Sequence, residues 1–153
     1  MFKNLILIIV YIFMCSQSNA EIVFTDKFNL KNEWSFITDQ VMGGISTGTY
    51  NYKKIKNDNI VKITGHVSTK NNGGFIQVRR NLDNINLTNA KNVEIIAKGN
   101  NEKYFIHLRT NFTLLPWQYY QYSFTVKKDF KNFILSIGNF KKSGFLLPDK
   151  IKP

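Results

Sequence analysis

An acid followed by three glycines within six residues is the densest chemical signal in the chain. It reads Asp39-Gln40-Val41-Met42-Gly43-Gly44-Ile45-Ser46-Thr47-Gly48 and stands five residues after Trp34. Glycine permits positive φ and close backbone approach. Such a loop suits backbone amides that meet a ligand or partner. It suits equally a tight bend of a sandwich with Met42 plugging the core. Asp39 can order it by accepting backbone N–H bonds, which is a structural task. Gly44-Ile45-Ser46-Thr47-Gly48 also spells the nucleophile-elbow pattern, but that pattern needs a strand–turn–helix. No helical pattern follows, so no hydrolase is expected. Asp39, Glu94, Glu102 and the two histidines, His66 and His107, show no pairing that spacing alone justifies. No catalytic residue is expected, and the chain reads as a non-enzyme. Its one cysteine, Cys15, lies in the N-terminal leader, leaving no thiol nucleophile and no expected metal site or cofactor.

Three further groups bear on binding. Asn71-Asn72-Gly73-Gly74-Phe75 is a second glycine loop, too short for a phosphate cradle and suited to a turn. The arginines are Arg79, Arg80 and Arg109, in a chain that otherwise uses lysine. Arginine favours bidentate pairing, so Arg80 and Arg109 each suit an internal carboxylate or an anionic ligand. Trp117, Tyr119, Tyr120 and Tyr122 cluster behind Pro116. Rings on a loop serve sugar-binding or partner-binding surfaces, and they serve a core equally well. The candidate binding residues are therefore Trp34, Asp39, Met42, Gly43, Gly44, Ser46, Arg79, Arg109, Trp117, Tyr119 and Tyr120.

The elements that must position these residues read as strands. Short runs of β composition recur at 22–24, 34–37, 48–52, 60–63, 74–78, 93–97, 104–109, 119–126 and 133–137. The third and fourth form a hairpin joined by the polar run 53–59, with Val67 extending its second arm. Phe105, His107 and Arg109 alternate with Tyr104, Ile106 and Leu108, giving one polar and one apolar face. About eight or nine strands at this spacing indicate an all-β sandwich or barrel. Asn72-Gly73, Gly99-Asn100 and Gly138-Asn139 mark turns.

Composition bounds the class. The 153 residues hold 43 % apolar and 20 % charged side chains, which suits one folded domain. Residues 1–20 read as a signal peptide. Lys3 is followed by an apolar run over 5–15, and Ser18 and Ala20 occupy the cleavage positions. That run rises about 16 Å as a helix, short of a ~30 Å hydrocarbon core. The expectation is a mature domain over 21–153 in the periplasm or outside the cell. Removing Lys3 takes the formal charge from +11 to +10. Such a charge suits polyanions or anionic lipid, and it is equally a solvated lysine surface.

The Trp34…Asp39-x-Val41-Met42-Gly43-Gly44-x-Ser46 run resembles the signature of the complex I intermediate-associated protein 30 family. Gln40 stands where that family has glycine. Later landmarks follow the same order: Gly65, Gly73-Gly74-Phe75, Arg79, Gly99, Tyr104, Arg109, a Tyr-rich strand, and Phe140 before Gly144. The resemblance implies a galactose-binding-like jelly-roll sandwich with no known catalysis, and a role like that of an assembly factor for respiratory complex I. The family ends in a further strand, whereas this sequence stops at Pro153. The expectation is either a short reading frame or a lost last strand, and a missing strand would leave a sheet edge open for pairing.

The leading functional expectation is a binding module that contacts a membrane or envelope protein complex through an exposed patch near 39–48. The alternative is a carbohydrate-binding module using Trp117, Tyr119 and Tyr120. An anionic membrane surface is a third partner, and nucleic acid is not expected.

Overall fold

The computed structural model describes residues 21–30 and 33–151, so the signal-peptide expectation lies outside the described residues. Among the described residues nine strands run in chain order: β1 (Trp34–Thr38), β2 (Thr47–Ile55), β3 (Asp58–His66), β4 (Ile76–Arg80), β5 (Asn92–Ala97), β6 (Lys103–Leu108), β7 (Tyr120–Thr125), β8 (Lys131–Ser136) and β9 (Lys141–Lys142). Helix among the described residues is limited to short 3₁₀ turns. Every pairing is antiparallel: β1 with β4, β2 with β3, β5 with β8, and β6–β7–β9. The molecule is all-β, as a sandwich requires.

Period-two alternation sets the main core. In β7, Tyr120, Tyr122 and Phe124 point inward, opposite Leu108, Ile106 and Tyr104 of β6. They meet Val93 and Ile95 of β5 and Phe133 and Leu135 of β8, with Phe140 and Leu147 closing one end. Phe124 and Phe133 touch at 4.9 Å between ring centres, and Phe140 lies 5.4 Å from Tyr122. Tyr120 is fully buried, and its hydroxyl donates to the Pro148 carbonyl at 2.9 Å. That bond satisfies the one polar atom its burial would strand.

The β2–β3 hairpin carries the first half of the chain. Its connection is the two-residue turn Lys56-Asn57, with Lys56 at φ 55°. The strands thus extend through most of the polar run expected to be loop, and Val67 lies just past the end of β3. Charged side chains here occupy outward positions of long strands, where charge is tolerated. On the inward face Tyr50 stacks on Phe36 at 5.5 Å, and Gly48 sits opposite Gly65. A Cβ on Gly65 would lie 2.3 Å from the Thr47 carbonyl and 2.8 Å from Ile76. The paired glycines let Phe36 and Ile76 close over the hairpin.

The run at 22–24 is not a strand. Phe24 instead lies under the Arg80 guanidinium at 5.0 Å, and Asp26 accepts from the Phe28 amide, the Trp34 indole and Arg80. Side-chain bonds hold this segment against β1 and β4 where a ladder was expected. Two-residue β9 is too short to read from composition.

Gly65→Ala should cost about 1–3 kcal/mol of stability through overpacking. Gly144→Ala, where an added Cβ meets nothing within 4 Å, should cost much less. Denaturant midpoints of the two variants check this.

Candidate functional site: a buried carboxylate beneath an apolar loop

Thr38 caps a 3₁₀ turn over Asp39–Met42, and Gly43 ends it at φ 88°, where a side chain would be strained. This geometry points the Asp39 side chain inward. Asp39 and Ser46 have no exposed surface. Asp39 Oδ1 accepts the Ser46 amide at 2.9 Å. Asp39 Oδ2 accepts the Ser46 hydroxyl at 2.5 Å, the Gly74 amide at 2.6 Å and the Phe75 amide at 3.3 Å. A carboxylate offers roughly four lone-pair sites, so four donors leave nothing for a ligand. Ser46 Oγ also accepts the Ser68 amide at 3.0 Å, and Gln40 Nε2 donates to the Ser46 carbonyl at 3.0 Å. The Asp39 amide donates to the Phe75 carbonyl. The two glycine loops are thereby joined through one carboxylate.

The glycines around it are steric requirements. A Cβ on Gly44 would lie 2.4 Å from Asp39 Cγ, and one on Gly73 would lie 2.4 Å from Asp39 Oδ2. Burial alone would raise the Asp39 pKa. The bonds from the Ser46 hydroxyl and from the Gly74, Ser46 and Phe75 amides outweigh it and hold the group below its ordinary 3.8. With its polar atoms turned inward, the loop exposes Val41 (76 %), Met42 (63 %) and Ile45. An open hollow beside them is lined by Phe36, Thr38, Val41 and Gly48.

Arg80 pairs with Asp26 and Glu33, which is the internal-carboxylate role. Arg109 takes neither expected role: its Nη2 donates to the Thr113 and Leu115 carbonyls at 2.7 and 3.1 Å. It organises the loop between β6 and β7. In that loop Thr113 and Gln118 are buried while Trp117 is exposed. Tyr119 stacks on His107 at 4.0 Å and 8°, and burial holds the His107 pKa below its ordinary value.

The family model for Complex I intermediate-associated protein 30 (CIA30) matches residues 22–145. The chain belongs to this family. No curated protein and no solved structure matches it.

The residues of this CIA30 domain that carry its signature thus fall into two groups. Asp39, Gly43, Gly44 and Ser46 build the buried bond network. Val41, Met42 and Ile45 form its outer surface. Met42 does not plug the core, because the 3₁₀ turn faces it outward. Ser46 is sealed against Asp39 and Ser68, so the nucleophile-elbow match has no chemical meaning here. Trp34 donates its indole N–H to Asp26 at 2.6 Å and packs on Phe28, a structural role. Arg79 is exposed and its Nε reaches Ser35 Oγ at 3.4 Å. Of the aromatic candidates, Trp117 is at the surface, Tyr119 is half-buried and Tyr120 lies in the core. Tyr120 is therefore withdrawn as a binding residue; its alternation with Tyr122 and Phe124 was the available signal. Sequence reasoning passed over Ser68, Gln118 and Ser143, polar residues whose partners are distant in the chain or folded back by a turn.

Asp39→Asn should lower the thermal midpoint at neutral pH, because an amide nitrogen would face amide donors. A depressed carboxyl stabilises the fold above its unfolded pKa, and that contribution is lost as pH falls through the folded value. Wild-type stability should therefore fall faster than the variant's as pH drops below about 4. Asp26 and Asp149, also held low, remain in both proteins and cancel. Parallel pH curves would contradict this role for Asp39.

Proposed function

We propose that this CIA30 domain is a non-enzymatic binding module of the assembly-factor type, and that Val41, Met42 and Ile45 meet a protein partner. The observation that carries the reading is the division within the signature. Its polar atoms close on one another beneath, while its large apolar side chains stand in solvent beside an open hollow. Exposed apolar side chains grouped on one loop mark an interaction surface. The buried network beneath fixes the loop before a partner arrives, which lowers the ordering cost of association. The family supports assembly with a protein complex. The leader expected over 1–20 supports a periplasmic or secreted setting, with a membrane or envelope complex as the partner. A galactose-binding-like topology fits the all-β arrangement. The glycan reading is weaker, having lost Tyr120 to the core.

Affinity capture from native envelope extract at low and high salt tests this. The protein should recover the same protein complex at both salts. A Val41→Ser/Met42→Ser variant should recover at least about tenfold less, since two exposed apolar anchors are removed. Its melting temperature should stay unchanged, because neither side chain is packed. Undiminished recovery by the variant would overturn the assignment.

A further inference from the structure

The loop between β6 and β7 and the turn after β9 form a second surface with inverted polarity. Three tight turns lie in these segments. Thr113 N donates to the Thr110 carbonyl, Gln118 N to the Leu115 carbonyl, and Leu147 N to the Gly144 carbonyl. The corners of these turns carry Phe112, then Trp117, then Phe145 with Leu146. Leu114 lies between the first two. Every one of these side chains is exposed: Leu114 by 82 %, Trp117 by 67 % and Phe145 by 87 %. Two polar side chains of the loop, Thr113 and Gln118, point the other way. Thr113 Oγ1 is buried against the Thr110 backbone, and Gln118 is buried with its Oε1 on the Leu115 amide at 3.0 Å. A solvated loop would show the reverse.

The turns are joined to one another. Arg109 binds the Thr113 and Leu115 carbonyls and links the first two. Ser143 Oγ donates to the Trp117 carbonyl at 2.9 Å and accepts the Tyr119 amide at 3.0 Å, linking the second to the third. Leu147 is buried in the core directly behind Phe145 and Leu146. The platform therefore holds its apolar tips outward without needing a ligand to order them.

The charge on these segments is predominantly positive. Segments 109–119 and 141–150 contain Arg109, Lys141, Lys142 and Lys150 against a single acid, Asp149, which Lys142 neutralises at 2.7 Å. Lys141 and Lys150 are exposed. Trp, Phe and Leu at projecting tips beside free lysines are the chemistry of the headgroup region of an anionic bilayer. Two open hollows on the described surface lie elsewhere, beside Phe36 and Gly48 and beside Ser35 and Arg80. Protruding tips suit a bilayer.

We propose that Phe112, Leu114, Trp117, Phe145 and Leu146 insert into the interface of an anionic lipid bilayer, with Lys141 and Lys150 on its headgroups. This surface is independent of the loop at Val41 and Met42, so either assignment stands without the other.

The test is sedimentation of the purified protein with vesicles of phosphatidylcholine containing about a third phosphatidylglycerol, and with phosphatidylcholine alone. The protein should bind the anionic vesicles at low salt and bind the neutral ones far less. Phe145→Ser/Leu146→Ser should reduce partition at least about tenfold, with an unchanged melting temperature because neither side chain is packed. The emission difference between wild type and Trp117→Phe isolates Trp117, and it should shift to the blue on binding. Absence of vesicle binding would overturn the proposal, as would full binding by the double variant. Soluble oligosaccharide moving the Trp117 emission while vesicles do not would transfer the surface to a glycan. Self-association abolished by the same substitutions, without vesicle binding, would transfer it to a second copy of the chain.

Discussion

One carboxylate joins the two glycine loops of this domain. Asp39 is buried, ionised and surrounded by four donors, two from Ser46 and two from backbone amides of the Gly74-Phe75 segment. A buried charge is tolerated only when its hydrogen bonds are made. Position 39 therefore constrains its neighbours. Gly44 and Gly73 must lack a Cβ, Gly43 must adopt positive φ, and Ser46 must supply a hydroxyl. In this chain, the glycines and the serine around Asp39 are residues that this single group requires.

That constraint has a consequence at the surface. With Asp39 and Ser46 committed inward, the apolar side chains between them, Val41, Met42 and Ile45, face solvent. Charge inside and apolar surface outside are thus one arrangement seen from two sides. The loop between β6 and β7 repeats the logic with different parts. Arg109, Thr113, Gln118 and Ser143 satisfy one another and the backbone, and Trp117 stands outside. In both, side-chain bonds to backbone groups hold the loop.

Alternation made much of the fold legible. The runs at 93–97, 104–109 and 133–137 correspond closely to β5, β6 and β8; β5 alternates between half-buried and exposed throughout, and β6 and β8 do so over Ile106–Leu108 and Phe133–Leu135. The same rule separates Tyr119 from Tyr120, which a reading by aromatic clustering treated alike. The polar run within the β2–β3 hairpin was not legible, because outward positions of a long strand accept the same lysines and asparagines as a loop. Position 22–24 had strand composition, but Arg80 with Asp26 and Glu33 holds that segment by side chains. At the site, the ordering role of Asp39 could be anticipated from the glycines that follow it. The donors at Gly74 and Phe75 could not, since 35 residues of chain separate them from the acid. Family resemblance supplied the order of landmarks without their contacts.

Backbone amide exchange measured residue by residue tests the central role of Asp39 most directly. Ser46, Gly74 and Phe75 should exchange only through global unfolding, at the rate of the β7 core amides, although they lie in loops. Exchange of these three amides at the rates of the exposed turn at Lys56 and Asn57 would contradict the account. It would mean that the carboxylate does not hold the two loops together.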